Sequence, residues 1–204
     1  MNSKELFVRD TTVIKKSDNL FTAEVSDNWS IGNTANGGYS MTLAAKAMSE
    51  LLEHKDPLGI SAHYLDRVDF GATELHVTHL SSSKSLSTAR VELIQNNKIK
   101  IIFIGTFTDF SFKNDMNIYE RDVPSIPDYE SCEVIPYKEG FNPKLDKNIE
   151  KAYSQDSLWW KKDKENSSST LNLYMSWPEK DNIDLFDLVP VSYTHLRAHE
   201  TQQH

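Results

Sequence analysis

Asn36-Gly37-Gly38-Tyr39 is the stretch of this chain best suited to chemistry. It follows Trp29-Ser30-Ile31-Gly32-Asn33 and precedes an apolar-periodic run over residues 41–52, so it reads as a glycine loop opening into a buried helix. Glycines let a backbone approach a ligand closely, and the first N–H groups of a helix carry partial positive charge. Such a spot suits a carbonyl oxygen that gains negative charge as it reacts. Packing is the competing use, because Gly37 and Gly38 also let a helix start in close contact with a sheet. His63, in the apolar segment 59–65, is a candidate base, though a satisfied half-buried histidine is the commoner use of such a position. Ser87 and Thr88 are neighbours on a strand, so only one of them can face the helix. Trp159, Trp160 and Trp177 read as strand core in preference to a ligand-stacking set.

The elements that must position these residues follow from hydrophobic period. Residues 5–16 and 20–25 alternate as two strands, with Ser17-Asp18-Asn19 as the turn between them. Leu43, Ala44, Ala47, Met48, Leu51 and Leu52 recur at helical spacing, and Asp56-Pro57 closes that segment. The helix is apolar over a wide face and small in its first turns, which requires a broad surface to pack on. Strands are expected over 59–65, 73–81, 85–95 and 98–110, with Asn96-Asn97 as a tight hairpin between the last two. Two strands, a long helix and four strands make an α+β layer pair, one antiparallel sheet wrapped on one helix.

Trp29-x-Ile31-Gly32 with Asn36-Gly37-Gly38-Tyr39, then residues 56–65, then Ser85-Leu86-Ser87-Thr88-Ala89-Arg90-Val91-Glu92-Leu93-x-Gln95, resemble the thioesterase-like superfamily, with its TesB-type acyl-CoA thioesterases, over residues 20–110. A weaker likeness in Leu158-Trp159-Trp160, Leu173-Tyr174-Met175-Ser176-Trp177 and residues 182–188 is similar to the opening of that family's second hotdog. The resemblance implies a hotdog fold and an acyl-CoA thioester as partner, hydrolysed or merely bound. It implies Asn36, Gly37, Gly38, Tyr39 and His63 as substrate-binding residues. In TesB-like enzymes an aspartate, a glutamine and a hydroxyl residue on the second hotdog hold the attacking water, and the aspartate lies beyond the leucine that Leu188 resembles. Asp187 falls about one turn too early for that role. No residue of this chain is therefore assigned to catalysis. A hotdog dehydratase is disfavoured, since residues 41–48 carry Lys46 but neither a carboxylate nor a histidine.

These readings divide the chain into a first hotdog over 1–112, a proline-rich extended linker over 113–143, the start of a second hotdog over 144–189, and a tail over 190–204. In the tail, Val191-Ser192-Tyr193-Thr194-His195-Leu196-Arg197-Ala198-His199-Glu200-Thr201 resembles a translated transposase sequencing adapter, whose bases also fit a codon for Pro190. The expectation is a truncated second half. An unpaired sheet edge then favours a homo-oligomer joined through sheet edges, and the ordered core is expected within 1–112.

Composition excludes several classes. Lys and Arg number 22 against 30 Asp and Glu, for a formal net charge of -8 over 204 residues, and no basic stripe with interleaved aromatics occurs. Nucleic acid is thus not an expected partner. The lone Cys132 cannot form an internal disulfide, and no Cys/His spacing fits a metal, so neither a metal nor a cofactor is expected. The first residues lack an apolar signal region and no apolar run is long enough to span a bilayer, which leads to the expectation of a cytoplasmic protein.

Overall fold

Asn2 starts the first element. Its side chain accepts from Glu5 N at 2.8 Å, and the Glu5 carboxylate accepts from Asn2 N at 3.0 Å. This reciprocal capping box initiates α1 (Ser3–Asp10), which buries Phe7 and Asp10. The strand expected over residues 5–16 is therefore mostly helix, and only β1 (Ile14–Lys15) remains of it. In the computed structural model, which describes residues 1–111, 125–158, 160–161 and 170–192, β2 (Leu20–Val25), β3 (Ser30–Ile31) and β4 (Thr34–Ala35) follow. Next come α2 (Gly37–Leu51), β5 (Asp56–Tyr64), β6 (Gly71–Ser82), β7 (Ser87–Gln95) and β8 (Lys98–Thr108). Beyond them lie β9 (Glu133–Val134), α3 (Leu145–Asn148), β10 (Glu150–Tyr153), β11 (Leu173–Ser176) and α4 (Leu185–Ser192).

The main sheet has six strands in the order β1-β2-β6-β7-β8-β5, every pair antiparallel. It is the hotdog arrangement, with α2 in the concave face. Strict alternation sets that face: β7 buries Ser87, Ala89, Val91, Leu93 and Gln95 and turns the residues between them outward. Asn96 and Asn97 have φ of 53° and 57°, the left-handed pair that a two-residue hairpin between β7 and β8 requires. Strand β5 begins at Asp56, earlier than the sequence pattern indicates, and a register shift lies between Pro57 and Gly59. Proline is tolerated there because β5 is an edge strand.

Helix α2 buries Tyr39, Leu43, Ala44, Ala45, Ala47 and Met48 completely. Each large apolar side chain so buried contributes roughly 1.5–3 kcal/mol. A Cβ on Gly105 of β8 would lie 2.6 Å from Met48 Sδ, so the glycine leaves the space that the Met48 side chain of α2 fills. Burial on nearly all sides has a second cause, for α4 lies along α2 and also touches β5.

The core extends past residue 112. Leu145, Ile149 and Trp177 belong to the same buried cluster as α2 and the main sheet. Trp177 packs on Phe7 with centroids 5.4 Å apart and edge-on to Trp29 at 6.1 Å. A second, three-stranded sheet has the order β11-β10-β9, and its strand β9 comes from within the proline-rich stretch expected to be plain linker. Trp159 and residues 112–124 lie outside the described residues.

Candidate functional site

The turn that presents the glycines is built from the backbone outward. Ser26 caps a short 3-10 turn, Asp27–Trp29, by accepting from Asn28 N. The β3–β4 hairpin then reverses at Gly32, whose φ of 62° favours glycine. Asn36 N donates to Trp29 O at 2.9 Å, and the Asn36 side chain accepts from Tyr39 N at 3.0 Å as the N-cap of α2. Ser40 N and its hydroxyl both donate to Asn36 O. These bonds use the N–H groups of Tyr39 and Ser40. The N–H groups of Gly37 and Gly38 have no partner among the described residues.

A cavity of about 740 Å³ opens at this helix terminus. That volume is in the range of small-molecule sites, and it exceeds the other clefts described, of about 450, 590 and 270 Å³. Its walls are the β3–β4 hairpin with Ile31 and Asn33, the start of α2 with Asn36 and Gly37, and the end of β5 with its following loop, from Tyr64 to Val68. Ile101 contributes from β8. A largely apolar interior that meets the unpaired N–H of Gly37 at the helix terminus can hold an aliphatic chain ending in a carbonyl and polarise that carbonyl.

Charge at the mouth is organised around Asp66. Hydrogen bonds from Lys98 and Lys100, at 2.8 and 3.0 Å, and from Arg67 N hold its carboxyl well below the usual range. Asp66 is thus a clamped anion and a poor general base. Among the described residues no group of three or more His, Cys, Asp or Glu could hold a metal ion.

Asn36 and Gly37 line the cavity, whereas Gly38 is buried behind them. Two other candidates are not brought to it. The Tyr39 ring is wholly buried and stacked on Trp29, and its hydroxyl donates to Asp10 O at 2.7 Å and accepts from Ser26 N at 3.1 Å. Burial, with the carboxylates of Asp10 and Glu24, pushes that phenol far above its ordinary value. His63 is exposed on β5, on the face opposite to Ile60 and Ala62, which pack on the core. Asp187, only 3% exposed, accepts from Asp184 N at 2.9 Å while Asp184 accepts from Asp187 N at 3.0 Å. This second capping box, with Lys4 at 3.1 Å, gives Asp187 a structural use.

One constellation escaped sequence reasoning. His54 Nδ1 lies 2.6 Å from Ser87 Oγ, which resembles a base beside a nucleophile. The Lys84 carbonyl can only accept, so the 3.3 Å contact fixes Nε2 as the protonated nitrogen, and a neutral His54 must take the Ser87 proton at Nδ1. Ser87 then accepts from Ser82, and Ser82 from His79 Nε2, at 3.0 and 2.8 Å. Ser87 is fully buried and lines none of the clefts described. The network runs from exposed His79 and Ser82 inward to buried Ser87 and His54, and satisfies buried polar groups where the α2–β5 connection meets the β6–β7 hairpin.

Residues 25–108 match the family model described as the acyl-CoA thioesterase N-terminal domain, a match that supports a thioesterase-like superfamily for this part of the chain. No curated protein matches the chain. Among solved structures, a candidate thioesterase II from Thermobifida fusca YX superposes with a TM-score of 0.80 at 18% identity, over 94% of this chain and 72% of that one. A conserved protein of unknown function with a hot dog fold, from Alicyclobacillus acidocaldarius, gives 0.78 at 12% identity over 92% and 68%. The acyl-CoA thioesterase II TesB2 of Mycobacterium marinum gives 0.66 at 12% identity over 92% and 66%. At these identities the likeness establishes the hotdog fold. Among the described residues no helix is long and apolar enough to cross a membrane.

Proposed function

We propose that this chain is the front part of a double-hotdog acyl-CoA thioesterase, which in full-length form hydrolyses acyl-CoA to a fatty acid and CoA in the cytoplasm. The observation that carries this reading is the cavity at the start of α2, where Gly37, whose N–H has no partner among the described residues, lines a largely apolar space. The thioester carbonyl would take the Gly37 N–H group, and the acyl chain the apolar space. Water activation requires a base. The described carboxylate lining the cavity, Asp66, is held by two lysines, which supports placing the acid, amide and hydroxyl set on the second hotdog.

In the same reading residues 190–204 are an adapter-derived tail, and the domain divisions are those drawn from the sequence. Edge strand β5 then serves for pairing with a second hotdog sheet, or with another copy in a homo-oligomer. Hydrolysis of acyl-CoA, followed with a thiol-detecting reagent, tests the assignment on this chain and on the uninterrupted reading frame beyond Val189. Activity in the longer protein and none in this chain is expected. Fast turnover by this chain contradicts the placement of the machinery, and tight binding without turnover by both identifies an acyl-CoA-binding protein instead.

A further inference from the structure

We propose that Arg67 anchors the phosphate-bearing carrier of the thioester at the mouth of the cavity, and so makes the site prefer carrier-bound over carrier-free thioesters. This rests on the acyl-CoA reading above. The loop that carries Arg67 is pinned on both sides. Leu65 N and Asp66 N donate to Lys100 O at 2.9 and 3.0 Å, and Val68 O accepts from Ala35 N at 3.2 Å and from Thr34 Oγ1 at 2.9 Å. The backbone at residue 67 is thereby tied to β8 and to the hairpin that leads into α2.

The neighbouring cations are committed while Arg67 is not. Lys98 and Lys100 both bond the Asp66 carboxylate. Among the described residues the one ion-pair partner of Arg67 is Asp69, reached through Nε at 3.4 Å, and its side chain is 70% exposed. Its terminal nitrogens remain available as a planar fork that suits phosphate oxygens. Arg67, Lys98 and Lys100 against Asp66 and Asp69 leave an excess of one positive charge at this mouth, on a chain whose net charge is -8. A cation carried on a backbone held from both sides, and the unpaired Gly37 N–H on another wall of the same cavity, match a ligand with an anion at one end and a carbonyl further along. Coenzyme A and phosphopantetheine thioesters both have that form.

Calorimetric titration of this chain with non-hydrolysable thioether analogues on coenzyme A, on phosphopantetheine and on phosphate-free pantetheine tests the proposal. Arg67→Glu is expected to weaken binding of the coenzyme A analogue on the order of tenfold, the size of one lost charge-assisted contact. It should leave the pantetheine analogue unchanged, and Arg67→Lys should recover part of the loss. A parallel loss on phosphopantetheine places the contact at the phosphate adjoining the pantetheine arm, and a loss confined to coenzyme A places it in the nucleotide. Equal affinity of wild type and Arg67→Glu for the coenzyme A analogue overturns the proposal, as does an equal loss on all three ligands. Wild-type protein that binds none of them overturns the acyl-CoA reading as well.

Discussion

The first hotdog and residues 125–192 hold together by different means. The former wraps a six-stranded sheet around α2 and fills its own interior with Phe21, Leu43, Met48, Leu75, Leu93, Ile101 and Phe103, all almost completely buried. The latter has a three-stranded sheet of short strands, and its buried Trp177 lies against Phe7 and Trp29 of the first unit. Its helix α4 rests on α2 and is tied to α1 through Lys4 and Asp187. Helix α1 adds a further link between the two, since Asn2 also donates to Asp181 and Ser3 N to Glu179. A unit with its own core tolerates loss of its neighbour, whereas a borrowed core does not.

The largest expected effect comes from the residue both regions share. Phe7→Ala should cost about 3–5 kcal/mol, as for other buried aromatics. Hydrogen exchange should rise first in β11 and α4 and only later in α2 and β7, and a uniform rise would erase the distinction between the two regions.

Asp10 gives a smaller effect confined to the first unit. It accepts from Asn28 Nδ2 and Trp29 Nε1 at 2.8 and 3.0 Å, so Asp10→Ala leaves buried donors unpaired at a cost of about 1–3 kcal/mol. Burial pushes the Asp10 carboxyl up, but hydrogen bonds from Asn28, Arg9, Ser26 and Trp29 outweigh it and the folded value lies below the ordinary one. Its stabilisation is then complete above the unfolded carboxylate value of about 3.9 and is lost as pH falls through the lower folded value. Thermal melts of wild type and Asp10→Ala should accordingly converge below pH 4. A constant gap down to pH 2 would show that charge is not what Asp10 contributes.

Asn36→Ala is the mildest case, at about 0.5–2 kcal/mol for a lost N-cap. Its melting shift should be small and its effect on ligand binding larger, because Asn36 fixes the helix start that lines the cavity. Unchanged affinity would detach the cap from the site.

How much of this was legible in the sequence tracks the range of the interactions. Helix α2 and strands β5 to β8 repeat strongly over nine residues or more, and their periods identify them. Helix α1 has only eight residues, and its sign is the capping box Asn2-x-x-Glu5, a local signal easily outweighed by the look of alternation that follows. Tyr39 adjoins Gly37 and Gly38 in sequence, yet one further step around the helix turns its ring into the core. The face on which His63 lies depends on the pairing of β5 with β8, and strand parity is not fixed by composition. His54 and Ser87 are 33 residues apart and meet only once the hairpin closes. The start of α2 at the glycine loop could be read because its signal resides in consecutive residues, the Asn36 cap and the helix it opens.

The central claim is that the ligand carbonyl is held at the N-terminus of α2. Amide chemical shifts of this chain, titrated with a non-hydrolysable acyl-CoA analogue, test it most directly. The largest changes should fall on the amides of Gly37 and Gly38, with smaller ones at Ile31 and Val68 and none at His63. Saturable binding whose changes centre on His63 and the outer face of the sheet, with Gly37 and Gly38 unmoved, would contradict the account.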